Sequence, residues 1–139
     1  MTQTLRGSCH CGNVSYSLTW PGVSQIAARR CGCTFCTKHG GIWTSNPSGA
    51  LVVRLAHAAQ VSCYSFETGT GARCGVPPLV TSRIAGRLYA VVNANTFDGI
   101  DPASLTISPA SFADEAVDDR LARRQRGWIP DVTIEEGTS

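Results

Sequence analysis

The sequence predicts a mainly β domain organised around clustered cysteines, with one short helix near its C-terminus. Three observations lead there. Apolar and polar residues alternate over several short segments, the period of half-buried strands. Five of the seven cysteines fall in two tight clusters with a sixth, Cys74, before a glycine, and one late stretch carries the charge order of a helix.

The elements follow in chain order. "GNVSYSLTW" alternates Val14, Tyr16, Leu18 and Trp20 with polar residues and ends at Pro21 and Gly22. "GALVVRL" repeats the pattern through Leu51, Val53 and Leu55, and "QVSCYSF" continues it with Val61, Cys63 and Ser65 on one side. "PLVTSRIAGRLYAVVNANTF" reads as a hairpin that turns at Ala85 and Gly86 and carries an apolar run from Leu88 to Val92. For the helix, Ser111 is the candidate cap of a run that opens with Asp114 and Glu115 and closes with Arg123, Arg124 and Arg126. Phe112, Val117 and Leu121 supply its apolar stripe, Asp119 and Arg123 an i,i+4 pair, and Gly127 its stop. "WIPDVTI" is a last extended piece, and the tail "EEGTS" reads as frayed. There is no internal repeat, linker or low-complexity block.

A length of 139 residues is that of a single domain, 1–139, large enough to bury a core without disulfide staples. With 42% hydrophobic and 16% charged residues the composition is globular. No window approaches the roughly 18 apolar residues of a membrane span, so a soluble protein is expected. The opening "MTQTLRGSCHCG" has neither an apolar h-region nor a small-residue cleavage site, which predicts a cytoplasmic protein. In that reducing compartment cysteines serve as metal ligands or catalytic groups more often than as disulfide partners. A net charge of +2 leaves no nucleic-acid footprint, and neither a nucleic-acid nor a membrane partner is expected. The basic run "RLARRQR", Arg120 to Arg126, follows "DEAVDD" and reads as a solvated helix face rather than a phosphate-binding stripe.

The cysteines fall as Cys-X-Cys (Cys9, Cys11), Cys-X-Cys-X-X-Cys (Cys31, Cys33, Cys36) and a late Cys-Gly (Cys74). Zinc is held by thiolates at about 2.3 Å in a tetrahedron, so ligands from one loop lie two to four residues apart on a sharp turn. Gly12, Gly32 and Gly75 adjoin the cysteines, as such turns require. Neighbours at i and i+2 seldom reach disulfide geometry, so a metal-thiolate reading is preferred to disulfides and to scattered buried cysteines. Cys63 stands apart in an apolar strand and reads as a small buried hydrophobe. The trio Cys31, Cys33, Cys36 has no fourth cysteine in its run; three protein ligands and an open position are what catalytic zinc sites show.

"GSCHCGNVSYSL", "CGCTFCTKHGG", "RCGVPP", "RLYAVVNANTFDG" and "ARRQRGWIPDV" together resemble the glutathione-dependent formaldehyde-activating enzyme (GFA) family, which includes the centromere protein V group. The resemblance runs from Gly7 to about Val132. It implies a mostly antiparallel, Mss4-like β fold built around zinc, and a carbon-sulfur lyase. It implies one zinc at Cys9, Cys11 and Cys74 and a second at the catalytic trio Cys31, Cys33 and Cys36. The family's fourth ligand to the first zinc falls here at Gly71, which cannot ligate, and "SFETGTGARCG" is shorter than the family's segment. A water, His10 or another cysteine would have to complete that site, and His10, between two ligands, is expected to point outward.

The implied reaction adds the sulfur of glutathione, or a related small thiol, to formaldehyde or another small aldehyde, and its reverse breaks the carbon-sulfur bond. Lys38, the chain's one lysine, is a candidate to attract a substrate carboxylate, and His39 to move a proton. A solvent-facing lysine and a histidine bonded to a loop carbonyl are the plain alternatives. Trp43, Thr44, Asn46, Asn93, Asn95 and Thr96 are candidates to line a pocket, with turn-forming roles open for the asparagines. Of the site residues outside the cysteines, Lys38, His39, Asn46 and Asn95 are carried forward as substrate-binding candidates. The same cysteines are also compatible with a thiol or metal sensor, a non-enzymatic zinc module for a protein or nucleic-acid partner, or a purely structural metal domain.

Overall fold

The computed structural model describes residues 2–10, 12–22, 25–32, 37–38, 40–56, 61–64, 69–72, 78–110 and 115–136. The strands are β1 (Thr2–Ser8), β2 (Val14–Pro21), β3 (Ile26–Cys31), β4 (Ile42–Thr44), β5 (Ala50–Leu55), β6 (Val61–Tyr64), β7 (Gly69–Ala72), β8 (Leu79–Ile84), β9 (Arg87–Asn93), β10 (Leu105–Ala110) and β11 (Asp131–Glu136). A helix, α1 (Val117–Gly127), and two 3-10 turns, Ala94–Thr96 and Pro102–Ser104, complete the described elements. The protein is mainly β, as its alternating segments predict.

Two sheets form, one of order β1-β2-β5-β11 and one of order β10-β3-β4-β9-β8-β7-β6. Pairing is antiparallel except for β10 on β3 and β11 on β5, which are parallel, so both sheets are mixed. The core between them follows from period-two alternation. Val14, Tyr16, Leu18 and Trp20 of β2 and Leu51 and Val53 of β5 meet Ile26, Leu79, Ala90 and Val92 of the larger sheet. Each such aliphatic side chain contributes roughly 1.5–3 kcal/mol by leaving water.

Strand β9 is buried on both faces. Its even residues, Ala90 and Val92, face the smaller sheet, while Tyr89 and Val91 enter a second cluster with Trp43, Ile84 and Trp128. Leu121 of α1 packs on that cluster, so the helix covers the far face of the larger sheet as a third layer. Ile129 ties the layers together through a two-bond bridge to Ala90, at 3.1 and 2.9 Å.

The hairpin turn between β8 and β9 falls at Ala85 and Gly86 as expected. Both lie at positive φ, 51° and 80°, the backbone twist that a two-residue hairpin of type I′ demands. In contrast, α1 starts later than its sequence suggests. Its N-cap is Ala116, with no side-chain cap bond, and Ser111, Phe112 and Asp114 lie outside the described residues. Val117 is 66% exposed and adds nothing to the apolar stripe. The arginine run is not simply a solvated face either, because Arg124 is buried. Of the tail, Glu135 and Glu136 belong to β11, Glu135 pairs with Arg54 at 3.2 Å, and residues 137–139 lie outside the described residues. No described helix is long and apolar enough to cross a membrane.

Candidate functional site

The trio's segment joins β3 to β4. Cys31 is the last residue of β3, half-buried, and the next amide, Gly32 N–H, donates to Ala110 O of β10 at 3.0 Å. Cys33, Cys36 and His39 lie outside the described residues. Where the chain returns, Asn95 Nδ2 donates to Gly40 O at 2.7 Å and Ile42 N–H donates to Asn93 Oδ1 at 3.3 Å. The segment is thus pinned at its entry by β10 and at its exit by the 93–95 turn.

That turn is itself anchored in the core. Asn93 is buried and caps the 3-10 turn through Asn95 N–H, at 3.2 Å. Thr96 Oγ1 donates to Asn93 O at 2.7 Å and meets Tyr16 Oη at 2.8 Å. Since the threonine hydrogen is committed to Asn93, the tyrosine hydroxyl donates to Thr96. Burial, with a smaller push from Asp98, holds the Tyr16 phenol well above its ordinary value. The approach is close enough to require glycine at position 7. A Cβ there would lie 2.3 Å from Tyr16 Oη and 2.4 Å from Thr96 O.

Alternation also fixes what surrounds Cys31. Ile26 and Ala28 of β3 face the smaller sheet, so Arg29 and Cys31 share the opposite face, under α1. Cys31 packs there against the cluster of Trp43, Tyr89, Val91 and Trp128. Arg124 reaches across from α1: its guanidinium bonds Ser82 Oγ at 3.1 Å and stacks 4.8 Å above the Trp128 ring. Arg29 donates to Ser45 Oγ at 3.1 Å, and Ser45 in turn donates to Gly127 O at the helix end, at 2.8 Å. Burial and then the nearby charge of Arg123 pull the Arg29 guanidinium below its usual value. Glu115 grips Arg123 with two bonds, 2.8 and 3.0 Å, and Arg120 at 3.6 Å, which pulls its carboxyl below the ordinary range.

Cys9 occupies a different place. Cys9 is buried in the main core, beyond the end of β1, whereas Cys31 belongs to the helix-side cluster. Val14 N–H points at Cys9 Sγ at 3.4 Å, and the Cys9 backbone is tied to Val14 O and Gly12 N, both at 3.0 Å. A turn that aims an amide at sulfur suits a thiolate, so this end of the site fits a metal ligand. His10 is exposed, in keeping with an outward direction. Cys11 and Cys74 lie outside the described residues, and Gly71 sits in the regular β6–β7 ladder opposite Ser62. Cys63 is on β6, opposite Thr70. Among the described residues no three His, Cys, Asp or Glu side chains gather into a metal site.

The remaining candidates divide by role. Lys38 is exposed on the trio's segment, and Asn95 is exposed beside its exit. Asn46 is occupied with the β4–β5 turn, accepting from Ser48 N–H on its side chain and from Gly49 N–H on its carbonyl, both at 2.9 Å. Thr44 is fully buried and donates to Ala27 O at 2.6 Å, and Trp43 is core. The residues that sequence reasoning passes over are Arg29, Ser45 and Arg124. A signal for two of them exists: Arg29 stands two residues before Cys31 on a strand, and Arg124 stands four before Trp128 at the end of a helix.

Compared with known proteins, the chain matches no family model, and no curated protein or solved structure is significantly similar to it.

Proposed function

We propose that this protein is a zinc-dependent carbon-sulfur lyase of the GFA type, with an Mss4-like fold, that forms or cleaves the adduct of glutathione or a related thiol with formaldehyde or another small aldehyde. Besides the motif resemblance, one observation carries this reading. Cys31 ends β3 half-buried, at the mouth of a segment held at both ends by Ala110 and by Asn93 and Asn95. Anchoring at both ends supports the reading, because an open coordination position requires ligands held in place.

Cys31, Cys33 and Cys36 would hold the catalytic zinc, and Cys9, Cys11 and Cys74 a second. Zinc would supply the positive charge that keeps a thiol ionised at neutral pH. In the addition, a sulfur-carbon bond forms while the carbonyl π pair moves to oxygen, and the proton lost by the thiol ends on that oxygen. His39 is the residue assigned to carry the proton, and Lys38 draws the anionic substrate toward the segment. Asn93 and Asn95 keep the segment in place. Trp43 and Trp128, packed beside Cys31, exclude water from one side of it.

The test is the rate of hydroxymethyl exchange between glutathione and formaldehyde, followed by NMR with and without the zinc-loaded protein. Acceleration that disappears in Cys33→Ala while that variant stays folded is the expected result. No acceleration over the uncatalysed exchange refutes the enzymatic reading.

A further inference from the structure

Strand β11 is an edge of the smaller sheet, and its inner face runs past the end of its cover. Register sets Val132, Ile134 and Glu136 beside Leu51, Val53 and Leu55 of β5, on the side that faces the larger sheet. Leu51 and Val53 are buried there, yet Ile134 is 45% exposed. On the larger sheet this is the β8–β9 hairpin, where Arg83 pairs with Leu88 and the two continue the inner face of Leu79 and Ala90. Between hairpin and strand lies a cleft of about 480 Å³, lined by Leu88, Val132 and Ile134 and also by Arg83, Arg87 and Asp131.

Two kinds of unmet group border this cleft. Among the described residues β11 pairs on one side only, so every second N–H and C=O of its backbone faces outward unpaired. Among the same residues neither Arg83 nor Arg87 is in an ion pair, and Arg87 Nε–H donates to Pro130 O at 2.9 Å, which sets its charge at the start of the strand. Exposed Glu136 stands at the other end. We infer that the edge of β11 docks an extended peptide as an added antiparallel strand, with an apolar side chain against Ile134 and, two residues further on, an acid against Arg83 and Arg87. Residues i and i+2 of a strand share a face about 7 Å apart, so both reach the cleft, and the antiparallel direction turns the peptide's carboxyl end toward the arginines and away from Glu136. A second copy of this chain does not meet these terms. Pairing β11 with its twin brings Asp131, Glu135 and Glu136 of both copies along one seam, and acids at a sheet edge oppose such pairing. The inference does not depend on the thiol-site reading.

The probe is a short amidated peptide, Ser-Thr-Val-Thr-Asp-Thr-Ser, labelled with fluorescein at its amino end and titrated with the full chain by fluorescence anisotropy. The wild type is expected to bind it about fivefold more tightly than the same peptide with Asn for Asp, the worth of an ion pair at an exposed rim. The double variant R83Q/R87Q is expected to lose that preference at an unchanged urea midpoint; should it fail to fold, R83Q alone replaces it and the preference falls. Ile134→Thr, which keeps a β-branched side chain, weakens both peptides. Methylation of two successive backbone nitrogens of the peptide, at Val and the following Thr, removes strand pairing and should abolish binding. No binding up to about 1 mM peptide overturns the inference, as do equal affinities for the Asp and Asn peptides or a preference that survives in the arginine variants. Undiminished binding of the methylated peptide overturns strand addition. Self-association in sedimentation velocity that Ile134→Thr abolishes gives the edge to a second copy and overturns the peptide as its occupant.

Discussion

Removing the Tyr16 hydroxyl should change the protein's stability in a way that reverses with pH. Tyr16 is buried and donates to Thr96, which bonds Asn93, whose side chain receives the Ile42 amide where the cysteine segment returns to the sheet. At pH 8, Tyr16→Phe loses one neutral hydrogen bond and should cost about 1 kcal/mol. Above pH 10 the balance changes. The unfolded chain releases the phenolic proton near its ordinary value of 10.0, while burial keeps the folded phenol protonated. The folded state then binds the extra proton, so wild-type stability falls as pH rises, by about 1.4 kcal/mol at pH 11. Phenylalanine has no such proton to lose. The variant should therefore be the less stable protein at pH 8 and slightly the more stable at pH 11. Urea unfolding of both proteins, read by tryptophan fluorescence across this range, measures the difference directly. Other tyrosines and thiols titrate in both chains and cancel. A difference that stays constant from pH 8 to 11 would refute the burial of this hydroxyl and the linkage built on it.

Gly7→Ala places a methyl against Tyr16 and the Thr96 carbonyl, and overpacking of this kind should lower the urea midpoint by an amount equivalent to about 3 kcal/mol. Ala85→Asn relieves a non-glycine residue at φ 51° and should stabilise the hairpin by roughly 0.5–1 kcal/mol; a neutral or negative effect in thermal unfolding contradicts the turn assignment. The Glu115 carboxyl titrates below its usual range, so its contribution is present above about pH 4.5 and is lost as pH falls through the lowered value. Glu115→Gln should thus cost under about 1 kcal/mol at pH 7, and wild type and variant should converge once the pH falls below that lowered value. Cys33→Ala should yield a folded protein with one fewer zinc and no thiol binding, and retained binding by that folded variant would remove the trio from the site.

Legibility in the sequence tracked how strongly a face is buried. Strands β2 and β5 announce themselves by strict alternation, and the β8–β9 hairpin by its turn residues and by the continuous apolar run of β9, which is buried on both faces. Strand β3, "IAARRC", does not: its inner residues are Ile26 and Ala28, and its outer face carries Arg29 and Cys31 beneath a helix. Strands β1 and β10 lie at sheet edges: β10 buries little, and β1 buries Leu5 and Gly7 on one face but has no second large apolar residue to make that period readable. The helix starts later than its charge order suggests: the helical backbone begins at Val117 after Ala116, and Ser111 lies outside the described residues. Arg124 was assigned to solvent from composition, and tertiary context, a tryptophan ring and Ser82, placed it inside. Of the candidate site, the turn-forming roles left open for Asn46 and Asn93 are the ones the structure shows, while only Cys9 and Cys31 of the six grouped cysteines lie within the described residues. The placement of Cys9 and Cys31 in two different clusters, and the anchoring of the trio's segment by Asn93 and Asn95, depend on contacts about fifty residues apart in sequence, as with Ile42 and Asn93, that no local pattern encodes.

Zinc content of the purified protein, measured by elemental mass spectrometry before and after dialysis against excess glutathione, tests the central claim most directly. The account predicts zinc in the starting protein and, after dialysis, either glutathione retained on the folded chain or loss of part of the metal with the fold unchanged. Zinc that stays in full with no glutathione bound, or a folded protein with no zinc at all, would contradict it.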